Sequence, residues 1–98
     1  MRKITEQAIN AFMNHKTFNS SNTTVSLNDD NSSCLLLFGN LIARKYTDGD
    51  KEIEITNAGY TTVTTKERLN GIPGVRIYQR KGEWFLNDKP WDGDWISI

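Results

Sequence analysis

Apolar positions recur first at helical and then at strand spacing. Ile4, Ala8, Ile9, Phe12 and Met13 share one face, which predicts an amphipathic helix over residues 4–15. Thr5 is the expected N-cap, Glu6 suits the positive end of the helix dipole, and Ile4 and Ile9 take hydrophobic-staple positions. Lys16 to Asn22 is polar and predicts a loop. Thr23 to Leu27 then alternates, with Val25 and Leu27 on one face, as a half-buried strand does. After the turn formers Asn28 to Ser33, the apolar run Cys34 to Phe38 predicts a buried strand. Gly39-Asn40 fits a tight turn or a bulge before Leu41 to Tyr46, and the bulge, within one long bent strand, is the preferred reading. Thr47-Asp48-Gly49-Asp50 is a hairpin signal, and Lys51 to Thr56 follows with Ile53 and Ile55 facing in.

The second half carries sharper punctuation. Thr64 and Glu67 have the spacing of a capping box, which predicts a short helix over Thr65 to Asn70 with Leu69 inward. Gly71 suits the left-handed residue past its end, and Pro73 bars continuation. Val75 to Arg80 alternates: Val75 and Ile77 on one face, Arg76, Tyr78 and Arg80 on the other. Lys81-Gly82 closes a hairpin onto Glu83 to Leu86, where Trp84 and Leu86 face away from Phe85. Asn87 to Pro90 and Asp92-Gly93-Asp94 turn the chain before Trp95 to Ile98. The order α-βββ-α-βββ, with short connections, predicts a single α+β domain over residues 1–98. Its core is a small antiparallel sheet of five to six strands, with an N-terminal amphipathic helix and one short middle helix.

Composition adds limits. A chain of 98 residues buries roughly 65% of its unfolded surface, enough for one modest core. Twelve basic and twelve acidic residues cancel, which argues against an acidic DNA mimic and against nucleic-acid binding by bulk charge. The balance is uneven, however: between Gly59 and Pro90 six basic residues face three acidic ones. Cys34 is the only cysteine and reads as a buried small hydrophobe. The N-terminus lacks a signal-peptide apolar core, and the longest apolar run is far too short to span a bilayer. A cytoplasmic protein with no membrane partner is expected.

Catalytic chemistry finds no purchase. His15, the only histidine, stands beside Lys16 at a helix end and fits a solvated or capping role. The two Asp-Gly-Asp triplets, at 48–50 and 92–94, lie between strand-like runs and read as turns, with no ligand set for a metal. Gly71-Ile72-Pro73-Gly74 lacks the pattern of a phosphate loop. Thr61 to Thr65 offers hydroxyls without a base. No enzyme activity, cofactor or metal is therefore expected, and the candidate contacts are Arg76, Tyr78, Arg80 and Lys81 on the basic strand, with Trp91 and Trp95 beside turns. An arginine-aromatic sheet face can hold single-stranded nucleic acid by stacking and phosphate contact; the other reading is that Tyr78 and a tryptophan form cross-strand pairs closing a small core, with the arginines solvated.

Several segments together resemble a known family. They are Gly39 to Arg44, Ile55 to Tyr60, Thr64 to Asn70, Lys81 to Asn87 and Trp91-Asp92-Gly93. The chain is similar in these to a family of small proteins encoded by tailed bacteriophages and prophages, with Thr64 to Asn70 and Trp84 to Gly93 the most specific parts. The resemblance implies a phage origin and the host bacterial cytoplasm, and brings no catalytic residues to carry over. A small phage protein without catalytic groups is expected to act by binding a host protein or ribonucleoprotein complex, as an inhibitor of the anti-CRISPR type. The alternative is a single-stranded nucleic-acid-binding accessory protein working through the basic strand.

Overall fold

Alternating side chains give the strands two faces, and among the described residues two sheets pack with two helices. The computed structural model describes residues 2–47 and 53–98; the expected turn at Asp48 to Asp50 and the start of the strand at Lys51 lie outside them. Helix α1 spans Lys3–Met13. Five strands follow: β1 Phe18–Ser20, β2 Thr23–Leu27, β3 Ser33–Leu37, β4 Asn40–Lys45 and β5 Ile53–Ile55. Helix α2 is Val63–Leu69, and the strands β6 Ile77–Arg80, β7 Glu83–Leu86, β8 Lys89–Pro90 and β9 Ile96–Ser97 complete the chain. Every pairing is antiparallel, in a six-stranded sheet β1-β2-β3-β4-β5-β9 and a three-stranded sheet β6-β7-β8. The α+β architecture is the expected one, with the strands divided between two sheets and with β1 formed inside the polar stretch read as a loop.

One apolar cluster joins both sheets to both helices. Ala8, Ile9 and Phe12 of α1 meet Val25, Leu35 and Leu37, and the cluster runs on through Ile42, Ile55, Leu69, Ile72 and Ile77 to Trp84, Leu86 and Trp91. Burial of these side chains is the main driving force for the fold. Ile53 and Ile55 face in as their alternation requires.

Four local readings are corrected. Gly39-Asn40 does not extend a bent strand: Phe38 (φ 51°) and Gly39 (φ 79°) form a tight hairpin turn between β3 and β4. The bulge lies instead at Ile42, where the register slips beyond Leu35. Thr5 is not the N-cap of α1: Arg2 is, without a side-chain cap, and Thr5 is buried in the first turn. The capping box is also absent. Thr62 caps α2 by accepting from Thr65 N at 3.1 Å, and Glu67 turns away to Thr5 and to the backbone N–H of Arg2. Gly71 does not adopt a left-handed conformation; a Cβ there would lie 2.8 Å from both Ile9 and Thr5, so glycine is needed where α1 crosses close to the end of α2.

Polar side chains finish the edges. Asn70 Oδ1 accepts from Ile77 N at 2.6 Å while its Nδ2 donates to Ile77 O at 2.9 Å, so one carboxamide takes the place of a neighbouring strand along β6. His15, at φ 54°, closes α1. Lys16 N donates back to Ala11 O at 2.9 Å and His15 N to Phe12 O at 3.5 Å, the paired bonds of a Schellman ending. The His15 ring meets Asn31 O through Nδ1 at 2.9 Å and Lys45 Nζ through Nε2 at 3.2 Å. A carbonyl only accepts and an ammonium only donates, so these two contacts match the tautomer that carries its proton on Nδ1.

Candidate docking surface

Period-two alternation along β6 and β7 puts the expected basic face outside. Tyr78 lies opposite Phe85, and Phe85 opposite Pro90, making one row across the three-stranded sheet. The Tyr78 and Phe85 rings stack with centroids 5.3 Å apart and planes 9° from parallel. The Arg76 guanidinium lies 5.3 Å from the Tyr78 centroid. Asp88 Oδ1 accepts from Arg76 Nη1 at 3.4 Å and from the Tyr78 hydroxyl at 3.1 Å. Partial desolvation, and then the Asp88 carboxylate, raise the Tyr78 phenol above its usual value. Arg76 and Tyr78 thus spend much of their capacity on neighbours, whereas Arg80 and Lys81 are exposed and, among the described residues, form no ion pair.

The two C-terminal tryptophans separate. Trp95 is on the surface, 47% exposed. Trp91, expected as a contact, is buried: its ring lies 6.2 Å from that of Trp84, and its Nε1 donates to Asp94 O at 2.9 Å. Pro90 continues the outer row opposite Phe85, so the next residue turns inward toward Trp84 and Leu86.

Two concave surfaces escaped the sequence reading. The first is an apolar groove of about 330 Å³ lined by Leu37, Phe38, Asn40, Ile42, Tyr60, Thr62 and Thr65. Phe38 on the β3–β4 turn is 71% exposed and Tyr60 is 51% exposed, and Val63 in the first turn of α2 is 76% exposed. Reading Phe38-Gly39 as a turn rather than a strand interior would have placed the ring outside. The second is a cleft of about 510 Å³. Trp84 and Trp91 line it together with Asn57, Thr61, Glu83, Pro90 and Asp92. The segment 57–62 separates the two hollows: Tyr60 and Thr62 line the groove, Asn57 and Thr61 the cleft.

Among the described residues no group of three or more His, Cys, Asp or Glu side chains is placed to hold a metal. Cys34 is buried, and desolvation raises its thiol above the ordinary value, which keeps it protonated. No helix among the described residues is long and apolar enough to cross a membrane. No curated protein and no solved structure matches the chain. The model of one protein family, described as the Kyanoviridae Gp96 protein, matches residues 1–97, and the chain therefore belongs to that family of phage proteins, a narrower group than the tailed phages and prophages its motifs suggested.

Proposed function

We propose that this phage protein works by binding, docking the groove between Phe38 and Tyr60 onto a host protein or ribonucleoprotein complex and inhibiting it in the host bacterial cytoplasm. A defence complex of the anti-CRISPR type is the target this reading favours. The choice of a host target rests on membership in a phage family. The mode of docking rests on one observation: Phe38 is an exposed aromatic held at φ 51°. A bulky side chain in that region is strained, and an exposed one gains little from burial in return. Large exposed aromatics beside a preformed groove are what anchor protein interfaces. Tagged wild-type protein and Phe38→Asp are to be compared in nuclease-treated host lysate. A partner retained by the wild type, lost by the variant and functionally blocked on binding is the expected result. A partner held equally by both would sink the groove reading.

A second reading has its own observation. Arg80 at the end of β6 and Lys81 in the following turn are exposed and, among the described residues, form no ion pair, which suits phosphate contact to a single strand. Because Phe85 and Arg76 flank the Tyr78 ring, little ring face is left for a base. Anisotropy of labelled single-stranded DNA and RNA at low salt decides: salt-sensitive binding lost in Arg80→Ala/Lys81→Ala supports the reading, and flat titrations remove it.

A further inference from the structure

We infer that the outer edge of β9 is a self-association surface, on which a second copy of this chain pairs its own β9 antiparallel about Ile96. The inference goes beyond the groove reading above and draws on none of the groove's residues.

The free edge follows from the hydrogen bonds already made. Ile98 N donates to Ile53 O at 3.0 Å, and Ile96 lies opposite Ile55. In an antiparallel ladder, hydrogen-bonded pairs alternate with unbonded ones, so Ile96 and Ile98 face their backbone groups to β5 while Ser97 faces its own outward. Trp95, directly before β9, makes no backbone hydrogen bond among the described residues. Unpaired main-chain donors and acceptors along an edge are a template for another strand. Both edges of the smaller sheet are guarded. The Asn70 carboxamide takes up the backbone of Ile77 on β6, and β8 carries Lys89 and Pro90, the latter without an N–H. Residues 95–98 hold no proline and no charge, and Trp95, Ile96 and Ile98 are all exposed.

The surface beside the edge defines which strand fits. Ile96 shares a face with Ile55, which is wholly buried, so Ile96 points to the core side of the sheet. A third hollow, of about 330 Å³, has Leu86, Pro90, Trp91, Ile96 and Ile98 in its wall. Alternation puts the Trp95 side chain on the opposite face. An incoming strand therefore needs an apolar side chain opposite Ile96, to cover the hollow, and a small one opposite Trp95. When β9 pairs with itself about Ile96, it meets both demands. Trp95 N–H then donates to Ser97 C=O of the second copy, and Ser97 N–H of that copy to Trp95 C=O; the two-fold axis repeats both bonds. Ile96 of each copy packs over the hollow of the other, and each indole lies across from a serine. The two six-stranded sheets become one continuous sheet. With no charge on residues 95–98, the two edges do not repel.

Sedimentation equilibrium of the whole chain tests the pairing. A concentration-dependent mass approaching twice 11.2 kDa is expected. Ser97→Pro removes an outward N–H and no bond to β5, and Ile96→Lys puts a charge where the two copies meet. Each should raise the dissociation constant about tenfold or more, whereas Phe38→Asp should leave it unchanged. In a mixture of isotope-labelled and unlabelled chains, the Ile96 methyls of one copy should show contacts to Ile96 and Trp91 of the other. Near-UV circular dichroism reports whether each variant is folded, and if Ile96→Lys is not, Ser97→Pro and the contacts between copies decide. A monomer at concentrations up to about 1 mM, a dimer indifferent to Ser97→Pro, or a dimer dissolved by Phe38→Asp would each overturn the inference. A chain that is monomeric alone, with its Ser97 amide protected from exchange only in complex with a host protein, assigns the edge to that protein and likewise overturns self-association.

Discussion

Arg68 on α2 donates from Nη1 to the hydroxyl of Thr5 on α1 at 2.9 Å, with both side chains almost wholly buried. The same guanidinium reaches Thr23 on β2 through Nε at 3.0 Å and Asn22 through Nη2 at 3.4 Å, and pairs with Glu67. One side chain therefore ties two helices to the larger sheet. Removing it strands several buried partners, and that desolvation cost exceeds the net worth of the bonds. Arg68→Met is expected to lower stability by about 2–4 kcal/mol, and Thr23→Val by about 1 kcal/mol. Urea denaturation measures both; a loss below about 0.5 kcal/mol for Arg68→Met would mean that the network is not holding the layers together.

Glu67 gives this network a pH signature. Burial pushes its carboxyl up, but hydrogen bonds from Thr5, from Arg2 N and from Arg68, with the charge of Arg68, outweigh that, and the net shift is downward from 4.5. A depressed folded-state pKa contributes stability that is complete above the unfolded value and lost as pH falls through the folded one. The wild type should therefore lose stability as the pH falls below about 4.5, and Glu67→Gln should show a shallower acid limb in denaturation midpoints between pH 6 and 3. Parallel limbs would show that Glu67 is not titrating against the fold.

How much of this could be read from the sequence depends on the range of each interaction. The faces of β6 and β7 were legible because alternation is local: Val75 and Ile77 in, Arg76 and Arg80 out, Trp84 and Leu86 in. Thr5 was misread because its true partners, Glu67 and Arg68, lie 62 and 63 residues away, and a threonine opening a helix looks the same whether it caps or anchors. Gly71 misled for a similar reason: a glycine after a helix suggests a left-handed cap, while here it makes room for another helix. For the candidate site, the basic strand was visible as a pattern. The groove and the cleft were not, since each draws on residues brought together only by the fold, such as Leu37 with Thr65 and Asn57 with Trp84.

Gly71 and Gly93 are expected to resist substitution for different reasons. A Cβ at Gly71 meets Ile9 and Thr5 at 2.8 Å and Arg68 O at 3.2 Å, so α1 must move away from the end of α2. Overpacking of this kind costs about 1–3 kcal/mol. At Gly93 the backbone is left-handed (φ 92°) and a Cβ would overlap the Asn57 carboxamide. Gly93→Ala thus adds backbone strain to a clash and should cost more than Gly71→Ala. It should also disturb the Trp84 and Trp91 indole resonances, because Asn57 shares their cleft. Thermal melts rank the two; a milder Gly93→Ala would contradict the packing seen around Asn57.

Phe38 sets stability against binding. Its φ of 51° lies in the left-handed region, where asparagine is tolerated far better than a bulky aromatic. Its ring is 71% exposed, so little burial is lost on removing it. Phe38→Asn next to Gly39 creates an Asn-Gly pair, the sequence most suited to a two-residue hairpin turn. The substitution should leave the fold intact and raise stability by about 0.5–1 kcal/mol, while partner capture falls at least tenfold if this ring anchors the interface. A residue kept for folding would behave in the opposite way, with stability falling and capture declining only in proportion. Paired denaturation and binding measurements on this one variant therefore separate a functional aromatic from a structural one.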